Sequence, residues 1–258
     1  MSLAKSFGSV LTVAEMEARK IRHDSTELWM RSVQPALWLL VFGEVLSHIK
    51  NNPLVPAGYS YLQYIAPGVL AQSVLFIAIF YGITIVWERD IGLLTKLLST
   101  PSPRSAIVAG KALASAVRGV FQGVVIVALA LILGINLRLD PLDVAGVFAI
   151  TVLCAMCFSS FSMILASFLK TRDRMMGIGQ VLTMPLFFAS SAIYQISIMP
   201  TWLQYVAYVN PLSYVVDAER ALLLTGDFSR LPVDLLALGA TTIVFLAIAS
   251  YVVKWLVQ

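Results

Sequence analysis

Long, unbroken apolar runs constrain this chain more than any other feature of its sequence. A helical span needs roughly 20 apolar residues to cross a bilayer core about 30 Å thick. The chain contains six runs of about that length. Of its 258 residues, 59% are apolar and 12% are charged, about half the charged share of a soluble domain. This composition excludes a soluble enzyme and a disordered tail, and continuous runs favour helices over the alternating strands of a barrel.

The predicted fold is therefore an all-α membrane protein with six transmembrane helices. The spans are expected at 30–49, 62–86, 112–135, 144–169, 176–196 and 233–257. No internal repeat divides the sequence, so residues 1–258 are predicted to form a single transmembrane domain. Within it, residues 1–28 form a cytoplasmic arm and residues 30–257 the six-span bundle.

The distribution of Lys and Arg predicts the orientation. Of 18 basic residues, 13 fall in the N-terminal arm, the connections at 89–111 and 170–174, and the C-terminus. The opposite connections hold 4, and Arg118 lies inside the third span. Because basic residues accumulate on the cytoplasmic side, both termini are predicted to be cytoplasmic in an inner (plasma) membrane.

The segment at 11–27 has helical apolar spacing. Leu11, Ala14, Ala18 and Ile21 recur at that spacing among largely charged neighbours. This pattern fits an amphipathic helix in the cytoplasmic interface. It equally fits a solvated helix packed on protein.

The connection between spans 2 and 3 is an apolar-faced helix rather than a plain polar loop. It begins with three charged residues, continues through leucines and stops at Pro101 and Pro103. Such a helix must bury its apolar face. It either docks into a groove on a partner protein or lies in the inner leaflet as an interfacial loop.

The connection between spans 5 and 6 is too polar for a span and too apolar for a free loop. Pro200 begins one short helix, and Asn210-Pro211 breaks it and begins another. Because broken helices are tolerated at membrane depth where protein shelters the backbone, two re-entrant helices in the outer leaflet are predicted. Their aromatic residues either anchor the chain at the outer interface or form part of a gate.

No catalytic or metal site is predicted. Cys154 and Cys157 lie inside an apolar run and are interpreted as packing residues, and His23 and His48 are far apart. Gly110-Lys111 is not part of a phosphate-binding loop. The chain is therefore not expected to be an enzyme or to bind a cofactor.

Two segments together resemble a known family. WERDIGLLTKLLSTPSPRSAIVAGK (87–111) resembles the span 2–3 loop of type 2 ABC exporter permeases, and MPTWLQYVAYVNPLSYVVDAERALLLTGD (199–227) resembles their outer signature. The resemblance covers essentially the whole chain and is nearest to the daunorubicin-exporter and nodulation-factor-exporter branch.

The resemblance implies a dimer of permeases with two copies of a separate cytoplasmic ATPase that carries ATP and Mg. It assigns ATPase coupling to the span 2–3 connection, with Glu88, Arg89, Asp90, Ile91, Leu94, Leu97 and Leu98. It assigns an outer gate to the re-entrant helices, with Trp202, Tyr205, Tyr208, Asn210, Pro211 and Tyr214. Membrane lipids are further expected partners, and nucleic acid is not.

The implied function is ATP-driven export of an amphiphilic, drug-like substrate. The alternatives are export of a lipid-linked glycan or lipo-oligosaccharide, and a membrane scaffold for an ATPase without transport. Within the spans, Arg118 and Gln122 share a helix face. They either line an inner vestibule or, for Arg118, reach back to lipid phosphates. Glu44 is expected to face the exit path or to pack under the re-entrant helices.

Overall fold

A computed structural model describes residues 8, 10, 12, 14–16, 19, 26–48, 54–56, 58–99, 103–169 and 171–253. These residues form helices joined by short connections and contain no strand, as the all-α prediction requires. In chain order the elements are α1 (Thr26–Leu37), a π-helical turn (Trp38–Gly43), α2 (Glu44–Ser47), α3 (Tyr61–Asp90), α4 (Leu93–Leu98), α5 (Arg104–Ile132), α6 (Pro141–Phe168), α7 (Arg172–Phe188), a 3₁₀ turn (Ile196–Ile198), α8 (Thr201–Val209), α9 (Pro211–Arg220), a second π-helical turn (Ala221–Thr225) and α10 (Leu231–Val252).

Four of these helices, α3, α5, α6 and α10, are long and apolar enough to cross a membrane. They correspond to the predicted spans 2, 3, 4 and 6. The predicted first span falls on the helical segments α1, π turn and α2. The predicted fifth span falls on α7, whose 17 residues end at Phe188 rather than near 196. Among the described residues, helix length and hydropathy therefore support four candidate membrane helices, and the first and fifth spans stay predictions.

A hydrogen bond from a distant residue explains why α7 ends early. The last carbonyls of a helix have no partner within the helix. Here the Asn210 side-chain amide donates to the carbonyl oxygens of Leu186 at 2.6 Å and Ala189 at 2.9 Å. Because the Asn210 side chain, which follows α8, satisfies these carbonyl oxygens, the helix can end at Phe188.

Helix α3 is the centre of the bundle. In its most apolar 18-residue stretch, 83% of the residues are buried, against 22% in α10. Helices α5, α6, α7 and α9 all pack on it. The sequence of α3 is apolar on all sides, which is the pattern of a helix surrounded by protein.

Gly82 permits the close contact between α3 and α6. A Cβ atom at this position would collide with Ser162 of α6. The Ser162 hydroxyl donates to the Ile79 carbonyl oxygen of α3 at 2.7 Å. Small residues and interhelical hydrogen bonds of this kind hold helices together in a bilayer, where the surrounding lipid is as apolar as the side chains.

The outer surface of the bundle is strongly apolar. Side chains on several helices are exposed although they are large and hydrophobic: Ile132, Leu142, Leu236 and Ile243. Exposed apolar area on this scale indicates contact with lipid or another protein. Together with the four long apolar helices, it makes the chain an integral membrane protein.

The connections fall at two ends of the bundle. At one end, the Arg138 backbone N–H donates to the Leu223 carbonyl oxygen at 2.8 Å, and the Arg138 guanidinium lies 5.9 Å from the Phe228 ring. At the other end, Glu88 of α3 pairs with Lys111 of α5. The predicted outer connections after α5 and before α10 therefore share one end, and the predicted ATPase-facing connection lies at the other.

Part of the predicted N-terminal helix is described. Residues 14–16 are helical, Ala14 is buried, and Arg19 forms an exposed ion pair with Glu15 at 2.7 Å, one helical turn apart. The other apolar positions of the predicted face, Leu11, Ala18 and Ile21, lie outside the described residues.

Candidate functional site

A short knob projects from the end of α3. Helix α3 ends at Asp90, and Gly92 adopts a left-handed backbone with φ +73° that starts α4 in a new direction. Leu94 is fully buried in the core of the chain, whereas Ile91 is 69% exposed. Leu94 thus anchors the knob to the bundle, and Ile91 faces outward.

A buried ion pair fixes the base of this knob. The Glu88 carboxylate contacts the Lys111 ammonium, with only 8% and 3% of the two side chains exposed. Removing charges from water is costly, and their attraction offsets that cost only when the pair is well formed. The pair therefore ties the last turn of α3, next to the knob, to helix α5.

The predicted coupling residues divide into inward-facing and outward-facing groups. Glu88 and Leu94, expected to contact an ATPase, instead contact the chain's own interior. Arg89 pairs with Asp90 at 2.8 Å. Leu97 is half-buried, and the Leu98 side chain lies outside the described residues. Ile91, together with the exposed Thr95 and Lys96 of α4, forms the surface available to a partner.

At the opposite end, Asn210 joins α7 to the two short helices. Its side-chain oxygen accepts from the Leu212 backbone N–H at 3.0 Å and so caps α9. Its amide donates to the carbonyls at the end of α7. Pro211 follows as the first residue of α9, where its missing N–H costs no helical hydrogen bond. The predicted break at Asn210-Pro211, with a short helix on each side, is present.

A polar network holds α9 against α3. The Arg220 guanidinium donates to the Ser191 carbonyl oxygen at 2.9 Å and stacks 3.8 Å from the centre of the Tyr64 ring. It also pairs with Asp217 at 3.3 Å, and Asp217 accepts from the Ser191 hydroxyl at 2.7 Å. This network connects the turn after α7, the first turn of α3 and the end of α9.

The predicted gate aromatics lie on the outer face of the short helices. Trp202, Tyr205 and Tyr208 of α8 are all more than half exposed. The Tyr214 hydroxyl of α9 donates to the Tyr208 carbonyl oxygen at 2.6 Å, which ties the two helices together across the break. These three aromatic side chains are therefore on the surface of the chain rather than in its core.

The three residues predicted for a substrate path do not come together. The Arg118 guanidinium stacks 3.9 Å from the Tyr81 ring centre and donates to the Ala114 carbonyl oxygen. Gln122 is buried and accepts from the Ser32 hydroxyl of α1 at 3.2 Å. Glu44 is exposed on α2. Arg118 therefore rests on α3, and Gln122 instead joins α5 to α1.

Sequence reasoning missed two groups of buried polar residues. The sequence places Lys111 in a basic connection and in the family-like segment 87–111, but nothing in the spacing indicates its pairing with Glu88. Glu219 and Arg220 were noted within the outer signature, but not that Glu219 is fully buried or that Arg220 is almost so. The polar cluster DAER, adjoining an apolar stretch, was the available signal.

Several known proteins are similar in sequence to this chain over most of its length. A ycf38 transport permease of Cyanophora paradoxa is 29% identical over 198 residues, which are 74% of this chain and 65% of the relative, just under two thirds. The inner membrane transport permease YadH of Escherichia coli K12 is 27% identical over 248 residues, covering 90% and 89%. The daunorubicin resistance ABC transporter permease protein DrrB1 of Streptomyces coeruleorubidus is 24% identical over 220 residues, covering 85% and 76%.

A comparison with models of whole protein families agrees with these relatives. The family model described as ABC-2 type transporter matches residues 9–224. That range contains the α4 knob, the buried Glu88–Lys111 pair, and both short helices with Asn210 between them. The chain therefore belongs to the ABC-2 type transporter family, as a permease.

Proposed function

We propose that this chain is the transmembrane permease subunit of an ATP-driven ABC exporter. It moves an amphiphilic or lipophilic, drug-like substrate out of the cytoplasm or inner leaflet by alternating access. Hydrolysis takes place on a separate ATPase subunit. Family membership supports the permease role, and the drug-resistance name of the DrrB1 relative supports this class of substrate.

The α4 knob is the observation that carries the proposal. An exposed isoleucine at the end of the central helix α3, just before the short helix α4, provides a rigid contact for a soluble partner. The Glu88–Lys111 pair joins that knob to α5. A push on the knob would therefore reach two long membrane helices at once.

The proposal extends to the assembly and its orientation. Two permeases and two ATPases form the complex, and both termini and the knob face the cytoplasm. The distribution of Lys and Arg supports this orientation. The short helices α8 and α9 form part of the outer gate. Their position at the opposite end of α3 from the knob supports this role.

Replacement of Ile91 by Asp tests the coupling surface. We expect Ile91→Asp to abolish co-purification of the partner ATPase, because a buried interface anchor contributes about 2 kcal/mol or more and a desolvated charge adds a further cost. Ser105→Asp, which places the same charge at an exposed position at the start of α5, should leave co-purification intact. Normal ATPase recovery with Ile91→Asp would contradict the proposed surface.

Reconstitution of the permease with its ATPase separates export from scaffolding. An exporter should hydrolyse ATP faster when its substrate is added to the proteoliposomes. Daunorubicin serves as the drug-like probe, and an undecaprenyl-linked oligosaccharide serves as the glycan probe. Stimulation by the glycan alone would replace the drug-like substrate class, and stimulation by neither probe would contradict both substrate classes.

A further inference from the structure

A small polar pocket opens beside the end of α9. It has a volume of about 250 Å³ and lies between α9, the second π-helical turn, the loop at 226–230 and the first turn of α10. Its lining includes Asp217, Asp227, Asp234, Arg220 and Arg230. Pockets that enclose a whole drug-sized ligand span roughly 300–1,000 Å³, so this one suits a polar head group.

Asp234 is the unusual member of the lining. It is 94% buried by residue surface, and its side chain accepts no hydrogen bond from the described residues. It lines the pocket, where the Asp217 carboxylate repels its negative charge and the Arg230 guanidinium attracts it. Its place in the first turn of α10 favours the negative charge, but a buried carboxylate still requires a polar partner.

The remaining groups leave the pocket acidic. Arg220 directs its guanidinium to Asp217 and to the carbonyl oxygens of Ser191 and Tyr64. Asp227 accepts from the Ser229 backbone N–H at 3.0 Å, and this hydrogen bond lowers the pKa of the Asp227 carboxyl. Three carboxylates against two guanidinium groups leave the lining with one net negative charge.

A cation that donates hydrogen bonds would give the buried Asp234 carboxylate the polar partner that it lacks among the described residues. The described residues include no group of three His, Cys, Asp or Glu side chains arranged to hold a metal ion. A primary ammonium carries three N–H donors in a compact group, which matches carboxylates facing a small cavity. We propose that this pocket binds the ammonium head group of an amphiphilic amine or of a phosphatidylethanolamine lipid at the outer end of the bundle.

The charge of the pocket is testable on the purified permease, without the ATPase and without transport. A cysteine at Thr225, which lines the pocket, reports on it, since the native Cys154 and Cys157 are buried. A trimethylammonium methanethiosulfonate should label Thr225→Cys about tenfold faster than a sulfonate analogue, relative to the same ratio at the exposed Ser197→Cys. Equal ratios at the two positions would overturn the proposal.

Single charge removals identify the responsible carboxylate. Asp234→Asn, which loses no hydrogen bond and is nearly isosteric, should lower the labelling ratio of Thr225→Cys several-fold. Asp140→Asn, at an exposed residue of the same end, should leave it unchanged. An equal effect of both substitutions would overturn the assignment to Asp234.

Protection experiments identify the ligand. Dodecylamine should slow labelling of Thr225→Cys in detergent, and dodecanol should not. In nanodiscs without added amine, slower labelling with phosphatidylethanolamine than with phosphatidylcholine would identify the lipid head group as the source. Protection by dodecylamine alone would identify a free amphiphilic amine. Equal protection by dodecanol, or no protection in either arm, would overturn the proposal.

Discussion

The buried Glu88–Lys111 ion pair makes the stability of the chain sensitive to a single substitution at either residue. Both side chains are almost completely buried. A pair of this kind adds little net stability compared with well-packed apolar residues, but loss of one partner leaves an uncompensated charge in the interior. The two single substitutions and the double substitution should therefore have very different effects.

Lys111→Met should be strongly destabilising. It removes the partner of a buried carboxylate, which costs about 3–5 kcal/mol, and the unfolding temperature in detergent should fall. The double variant Glu88→Leu with Lys111→Met should recover most of that loss. Thermal unfolding followed by tryptophan fluorescence measures both. A Lys111→Met protein as stable as the wild type would show that the pair is unimportant for the fold.

The knob shows where residue-level prediction from sequence stops. The charged start, the leucines that follow and the proline stop predict a short helix after α3, and α4 is present. It did not reveal that Leu94 faces the core while Ile91 faces outward. That choice depends on the left-handed turn at Gly92, which rotates α4 relative to α3 and cannot be inferred from helical periodicity across the break.

At the scale of elements, long apolar helices were predictable and the end of α7 was not. Helices α3 and α6 follow the predicted spans closely because a continuous apolar run leaves the backbone little alternative in a bilayer. The end of α7 depends on Asn210, whose amide reaches the Leu186 carbonyl from 24 positions further along the chain. Apolar periodicity carries no information about such a contact.

Asn210 should be needed both as the N-cap of α9 and as a clamp, the donor of hydrogen bonds to the last carbonyls of α7. Asn210→Ala should lower the unfolding temperature, because loss of an N-cap costs about 1 kcal/mol and the carbonyls of Leu186 and Ala189 lose a buried donor. Asn210→Asp retains the cap of α9 but replaces the amide donor by a carboxylate oxygen that faces the Leu186 and Ala189 carbonyl oxygens, so it should also be destabilised although its cap is intact. A comparison of the two variants by thermal unfolding in detergent separates the roles. Wild-type stability of Asn210→Asp would show that the clamp contributes nothing.

On the scale of the whole molecule, the two ends of the bundle differ in chemistry. One end carries the knob and the start of α7, a helix that packs close to Ile83 of α3 at its middle residue Gly179. The other carries the Arg220 network and the polar pocket beside α10. The positive-inside rule predicts that the knob end faces the cytoplasm, since most of the Lys and Arg residues lie in the connections predicted for that side.

Thiol labelling in intact cells measures this orientation directly, because the native cysteines are buried and contribute little background. A cysteine in place of the exposed Asp140 should react with an impermeant maleimide added outside. A cysteine in place of the exposed Asp173 should react only after the membrane is permeabilised. Both variants replace a surface carboxylate, so each controls for the other's effect on expression. If Asp173→Cys labels in intact cells and Asp140→Cys does not, the knob faces outward, and an ATPase in the cytoplasm cannot dock on it.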